Sequence, residues 1–147
     1  MQNSNAEQSY KTLLIIWAAL LFSQFMFVVV IWFAKPELFK FDFSQPLLGD
    51  NAVIVGLFAM LSVSDIVISL ILRKKTLERS VAEQSIPLVQ TAMIIGCALC
   101  EAISLFGVLL AFLFGYQYFF LFSILGVIGI LPHFPRREDV HAASYRK

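Results

Sequence analysis

The chain has 147 residues, a formal net charge of +1, and 59% hydrophobic, 14% aromatic and 14% charged residues. Soluble domains carry about 45–50% apolar and roughly 25% charged residues, so the composition points to a membrane and away from a soluble enzyme. A charge near zero gives no sign of an acidic partner, and no nucleic acid is expected.

Taken in chain order, a polar dozen residues precede an uncharged run, Leu13–Ala34, whose most polar member is Gln24. A secretory signal has an apolar core of about 7–15 residues. This run is longer, so a retained first helix is expected over about 12–34. In the loop that follows, Phe39, Phe41 and Phe43 alternate with Lys40 and Asp42. That pattern fits a surface strand or platform, or an aromatic anchor at the lipid headgroups. A second apolar run holds one charge, Asp65, and predicts a helix over about 51–72 with Asp50 or Asn51 as its cap. A basic loop, Arg73–Ser85, leads to a third helix over 86–114. Ser85 is its expected cap, Pro87 lies in its first turn where a missing N–H costs nothing, and Glu101 is its one charge. A tight turn at Gly115–Tyr118 leads into a short uncharged helix over about 116–132, and a polar tail covers 133–147.

Crossing a hydrocarbon core of about 30 Å takes roughly 20 helical residues. The first three runs satisfy this and the fourth is at the low edge. A barrel strand would alternate apolar and polar residues, whereas these runs are continuous. The expectation is an all-α, integral membrane four-helix bundle forming one transmembrane domain over 1–147. With four spans, Lys11, Arg73, Lys74, Lys75, Arg79, Arg136, Arg137, Arg146 and Lys147 share one side, and Lys35 and Lys40 the other. By the positive-inside rule both termini are then cytoplasmic, in an inner-membrane protein.

Glu101 is the residue with most chemistry. A charged acid at the bilayer centre costs at least about 2.5–3.5 kcal/mol, so it is expected to be paired, protonated or functional. Its depth, about 15 residues or roughly 22 Å into the third helix, matches that of Gln24 in the first, and a Gln24–Glu101 hydrogen bond would satisfy both groups. Ser104 shares the face of Glu101. Glu101, Gln24 and Ser104 are therefore either a proton or ion site or a polar clasp that fixes packing. Asp65, among Ser62, Ser64 and Ser69, is either a second step in a proton path or a carboxylate that reaches the interface. Cys97 and Cys100 have CxxC spacing, but they sit mid-helix rather than at an accessible helix start and read as small packing residues. His133 and His141 lie in or near the tail, so no metal site is expected. Arg73, Lys74, Lys75 and Arg79, with Arg136 and Arg137, form two basic clusters suited to anionic lipid headgroups. No phosphate-binding loop, nucleophile elbow, Ser-His-Asp set or HExxH is present, so neither an enzyme nor a cofactor is expected.

The stretch from Gly96 to Leu113, GCALCEAISLFGVLLAFL, resembles the carboxylate-bearing helix of the proteolipid c subunit of rotary ATP synthases, and a basic loop precedes it as in that family. The resemblance implies a c-subunit-like hairpin, Glu101 as the proton-binding carboxylate, and a homo-oligomeric ring enclosing lipid. That family's sodium-binding variants carry a hydroxyl residue and a tyrosine where this chain has Ala102 and Phe106, which implies a proton or no ion. The third helix and the tail motif from His133 to Arg137 also resemble small four-helix membrane proteins of predatory and related bacteria, over most of the chain. The expected function is a ring-forming or otherwise homo-oligomeric membrane protein with a structural or lipid-organising role. Proton translocation at Glu101, and an accessory subunit docked on another membrane protein, are the alternatives. Small residues at Gly96, Ala98, Ala102, Gly107 and Ala111 are candidates for close helix approach.

Overall fold

The computed structural model describes residues 2–40, 42 and 44–144. The chain is helical: α1 spans Gln2–Ala34, α2 Ala52–Ala82, α3 Ile86–Phe114, α4 Phe120–Ile130 and α5 Arg137–Ser144, with 3-10 turns at Pro36–Phe39 and Leu131–His133. Three helices are long and apolar enough to cross a membrane, α1 from Ala6, α2 and α3. The fourth apolar helix, Phe120–His133, is shorter. Its 14 residues rise about 21 Å, less than a hydrocarbon core.

α3 is the central element. It packs on α1, α2 and α4, while α1 and α2 flank it without a substantial contact of their own. α2 meets α3 through a seam of hydroxyls. Ser62, Ser69 and Ser80 are each fully buried, and each donates back to its own helix, to the carbonyls of Phe58, Ile66 and Leu77, all at 2.7 Å. The polar groups are thereby satisfied without a partner helix, and the small side chains admit a close approach. α4 meets α3 through glycines. A Cβ on Gly107 would lie 2.8 Å from the Phe119 carbonyl and 2.9 Å from Phe122 Cβ. One on Gly126 would lie 3.0 Å from the Cys100 carbonyl, and one on Gly129 2.9 Å from Cys100 Sγ. The glycines at 96 and 107 and Ala111 thus face the chain's own interior, whereas Ala98 is exposed.

At one end, here called basal, the start of α1 meets the end of the chain. Arg137 lies 3.5 Å from Glu7 and over the Tyr10 ring, Arg73 lies 3.4 Å from Asp139, and Gln84 donates to the Ala142 carbonyl at 3.5 Å. At the opposite, apical end the first loop folds over the α3–α4 turn. Trp32 packs edge-on to Phe39 at 4.8 Å and Phe39 to Phe119 at 5.4 Å. Tyr116, Gln117 and Tyr118 hold loop carbonyls of Leu47, Asp42 and Gln45 at 2.8, 2.7 and 2.9 Å. Gly115, at φ +61°, turns the chain between α3 and α4, because only glycine adopts that backbone freely.

Several expectations are corrected here. The polar first residues join α1 instead of preceding it, and α2 runs ten residues past Leu72 through the basic segment expected to be a loop. Residues 116–119 form a turn, so α4 starts at Phe120. The tail is not free: α5 docks Val140 and Ala143 into the basal core, and His133 is fully buried. Asn51 and Ser85 sit at the helix starts without a side-chain capping bond. The Phe39 segment is a 3-10 turn, not a strand. Phe41 and Phe43, like Arg146 and Lys147, lie outside the described residues.

Candidate functional site

α3 carries its polar residues on two faces, and α1 answers each with an adjacent side chain. Ser104 is fully buried and its hydroxyl donates to Gln24 Oε1 in a short hydrogen bond. One turn away, the Ser23 hydroxyl lies 2.5 Å from Glu101 Oε1 and 2.7 Å from the Leu20 carbonyl. The structure therefore brings Gln24 to Ser104 but not to Glu101. The partner of Glu101 is Ser23, which sequence reasoning missed. Its signal was its place: a second polar residue at the same depth in an apolar run.

The site lies mid-helix. Glu101 is 15 residues from the start of α3 and 13 from its end, so about 20 Å from either. The two contacts differ in burial. Gln24 and Ser104 are sealed in, with α4 closing over them at Gly126. Glu101 is half-buried, at the edge of the α1–α3 seam.

Ser23 Oγ faces two acceptors, the Leu20 carbonyl and the Glu101 carboxyl. Its one hydrogen is either shared between them or, with a protonated carboxyl, goes to Leu20 while Glu101 donates to Ser23.

The remaining expected site residues are dispersed. Asp65 is half-buried on α2 beside the serine seam and makes no hydrogen bond or ion pair among the described residues. Cys97 and Cys100 are fully buried, and Cys100 Sγ lies 3.7 Å from Ser69 Oγ. Among the described residues no group of three or more His, Cys, Asp or Glu is placed to hold a metal. In the basic clusters Arg73 is engaged by Asp139 and by the Phe134 carbonyl at 3.5 Å, and Arg79 by Glu83 at 2.5 Å. Lys74, Lys75 and Arg136 are exposed. His133 fills the notch at Gly96, where a Cβ would collide with its ring. Its Nδ1 donates to the Gly129 carbonyl at 3.0 Å, which leaves Nε2 without a partner among the described residues. No protein family, curated protein or solved structure matches this chain.

Proposed function

We propose that this chain is a multi-pass membrane protein that exchanges a proton at Glu101. The observation that carries the reading is the Ser23 hydroxyl, held between the Leu20 carbonyl and the Glu101 carboxyl. That arrangement is fully bonded with a protonated acid, and the half-buried position of Glu101 lets the proton leave and return without the bundle coming apart. In this reading α4 and its flanking turns make a fourth crossing. The basal end is cytoplasmic, in a bacterial inner membrane, which the excess of Lys and Arg there supports. The resemblance of α3 to the rotary proteolipid helix agrees, and it points to a homo-oligomer.

The second reading is a structural role in a homo-oligomer without proton exchange. The sealed Gln24–Ser104 pair favours it, because a clasp with no access to solvent or lipid can only fix packing.

Reconstitution into liposomes containing a pH-sensitive dye separates the two. Under an imposed potential the wild type is expected to conduct protons and Glu101→Gln to conduct none while still assembling. Equal flux from both proteins, or none from either, removes proton exchange and leaves the structural role.

A further inference from the structure

The fold sorts the basal cations into two kinds. Arg73, Arg79 and Arg137 are held by Asp139, Glu83 and Glu7. Lys74, Lys75 and Arg136 are exposed and form no ion pair among the described residues. Two of these three border one junction, although they come from distant parts of the chain.

The junction joins α2 to the connection between α4 and α5. Arg73 ties the two by donating to the Phe134 carbonyl. Arg136 follows in that connection, close enough to Arg73 for the two charges to repel. Lys74 reaches the same place from α2. Ile66 marks the flank of α2 next to α4, since a Cβ on Gly129 would lie 3.6 Å from its Cγ1. Leu70 and Lys74 follow Ile66 at four-residue steps, each about 40° further round, so Lys74 leaves α2 on that flank. Lys75 stands about half a turn from Ile66, on the opposite flank. Asp139 balances Arg73 alone, which leaves the charges of Lys74 and Arg136 uncompensated.

Depth and neighbours define an occupant. Lys74 is two residues past Leu72, the end of the apolar run, or about 3 Å beyond it. That is the level of the phosphates that edge a hydrocarbon core. Glu78 is four residues further out, about 6 Å beyond Lys74. Toward the midplane, Val63, Val67 and Leu70 are exposed on the same flank as Lys74. Cations at the membrane edge above an apolar track match the outline of a phospholipid. A choline or ethanolamine headgroup would set its own cation beside Lys74 and Arg136, whereas an anionic headgroup brings none.

We propose that the basal end of α2 holds one anionic phospholipid, its phosphate between Lys74 and Arg136 and an acyl chain along Leu70, Val67 and Val63. The site rests on α2 crossing the membrane and not on proton exchange at Glu101.

The test is native mass spectrometry of the protein in mild detergent, titrated with phosphatidylglycerol and with phosphatidylcholine of the same acyl chains. The wild type is expected to retain phosphatidylglycerol under activation that strips phosphatidylcholine. Lys74→Gln and Arg136→Gln remove exposed side chains that pair with nothing in the described fold, so both should fold as wild type. Each should weaken phosphatidylglycerol binding about fivefold, the effect of one cation near an anionic headgroup. Lys75→Gln removes the same charge one residue away and should leave binding unchanged. Equal retention of the two lipids, unchanged binding in Lys74→Gln and Arg136→Gln, or an equal loss in Lys75→Gln would overturn the proposal, the last by showing a diffuse surface charge. Displacement of the lipid by inorganic phosphate would overturn it as well, because the two cations would then form a site for a free anion.

Discussion

Gly126 is the point where α4 closes over the polar face of α3, and replacing it with alanine tests the packing that seals the site. The added Cβ would collide with Ser104 Oγ and lie 3.0 Å from both the Cys100 carbonyl and Gln24 Oε1. The carbonyl is part of the α3 backbone and cannot rotate away, so α4 must retreat. Overpacking of this kind costs about 1–3 kcal/mol. Any displacement of Ser104 Oγ, the atom nearest the new Cβ, also breaks or stretches its hydrogen bond to Gln24, worth about 0.6–1.7 kcal/mol between membrane helices. Gly126→Ala is therefore expected to lose about 2–4 kcal/mol. Gly56→Ala is the control. Nothing lies within 4 Å of its Cβ, and alanine is the better helix former by about 1 kcal/mol, so stability should hold or rise. Adding Ser104→Ala to Gly126→Ala removes the nearest obstacle and should recover about 1 kcal/mol, a coupling typical of residues in contact. Unfolding in mixed micelles by titration with dodecyl sulfate, followed by helical circular dichroism, measures the wild type, these three variants and Ser104→Ala alone. If Gly126→Ala is as stable as Gly56→Ala, or if the double variant equals the sum of its parts, the close α3–α4 packing described here is wrong.

Further expectations concern the ends of the bundle and its thiols. Burial, with Tyr118 beside it, raises the Tyr116 hydroxyl above its ordinary value near 10. The folded chain thus keeps a proton that the unfolded chain has lost, and stability should be level below about pH 10 and fall as pH rises beyond it. Tyrosinate absorbance read alongside unfolding checks this, and a Tyr116→Phe variant that keeps the full alkaline loss would contradict it. Asp139→Asn uncouples Arg73 from α5, but with both partners partly solvated the loss should stay below about 1 kcal/mol. Limited proteolysis should then cut near α5 first. Cys97 and Cys100, both fully buried, should resist maleimide in the folded protein and react fully once it is unfolded; labelling of the native protein would place them elsewhere.

Much of this architecture is legible in the residues, and the misses share physical causes. The apolar runs locate the three long helices, and α3 begins and ends where Ser85, Pro87 and Gly115 place it. The extension of α2 was obscured because charge was read as a break. Yet Val55, Ser62, Ser69 and Thr76 recur every seven residues, so the seam facing α3 continues through the basic stretch. α5 is short, but Val140 and Ala143 share one face behind an acidic first turn, a pattern that a docked helix explains better than a free tail. His133 reads as tail because it follows a proline. In space it extends the α4 face of Phe122, Gly126 and Gly129, which meets α3 at the small residues. At the site, sequence reasoning placed Gln24 and α3 at the same level and then paired the wrong neighbours. Consecutive residues on a helix point about 100° apart, so Ser23 and Gln24 face different sides of α3. Only the packing decides which of them meets the carboxyl.

The proton proposed for Glu101 is open to direct observation. Infrared spectra of the reconstituted protein at neutral pH should contain a protonated-carboxyl band that shifts in deuterium oxide, disappears in Glu101→Gln and moves in Ser23→Ala, where the acid loses its acceptor. A wild-type spectrum with carboxylate bands alone, or a protonated band that survives Glu101→Gln unchanged, would show that Glu101 holds no proton in the folded protein and would contradict the proposed function at its base.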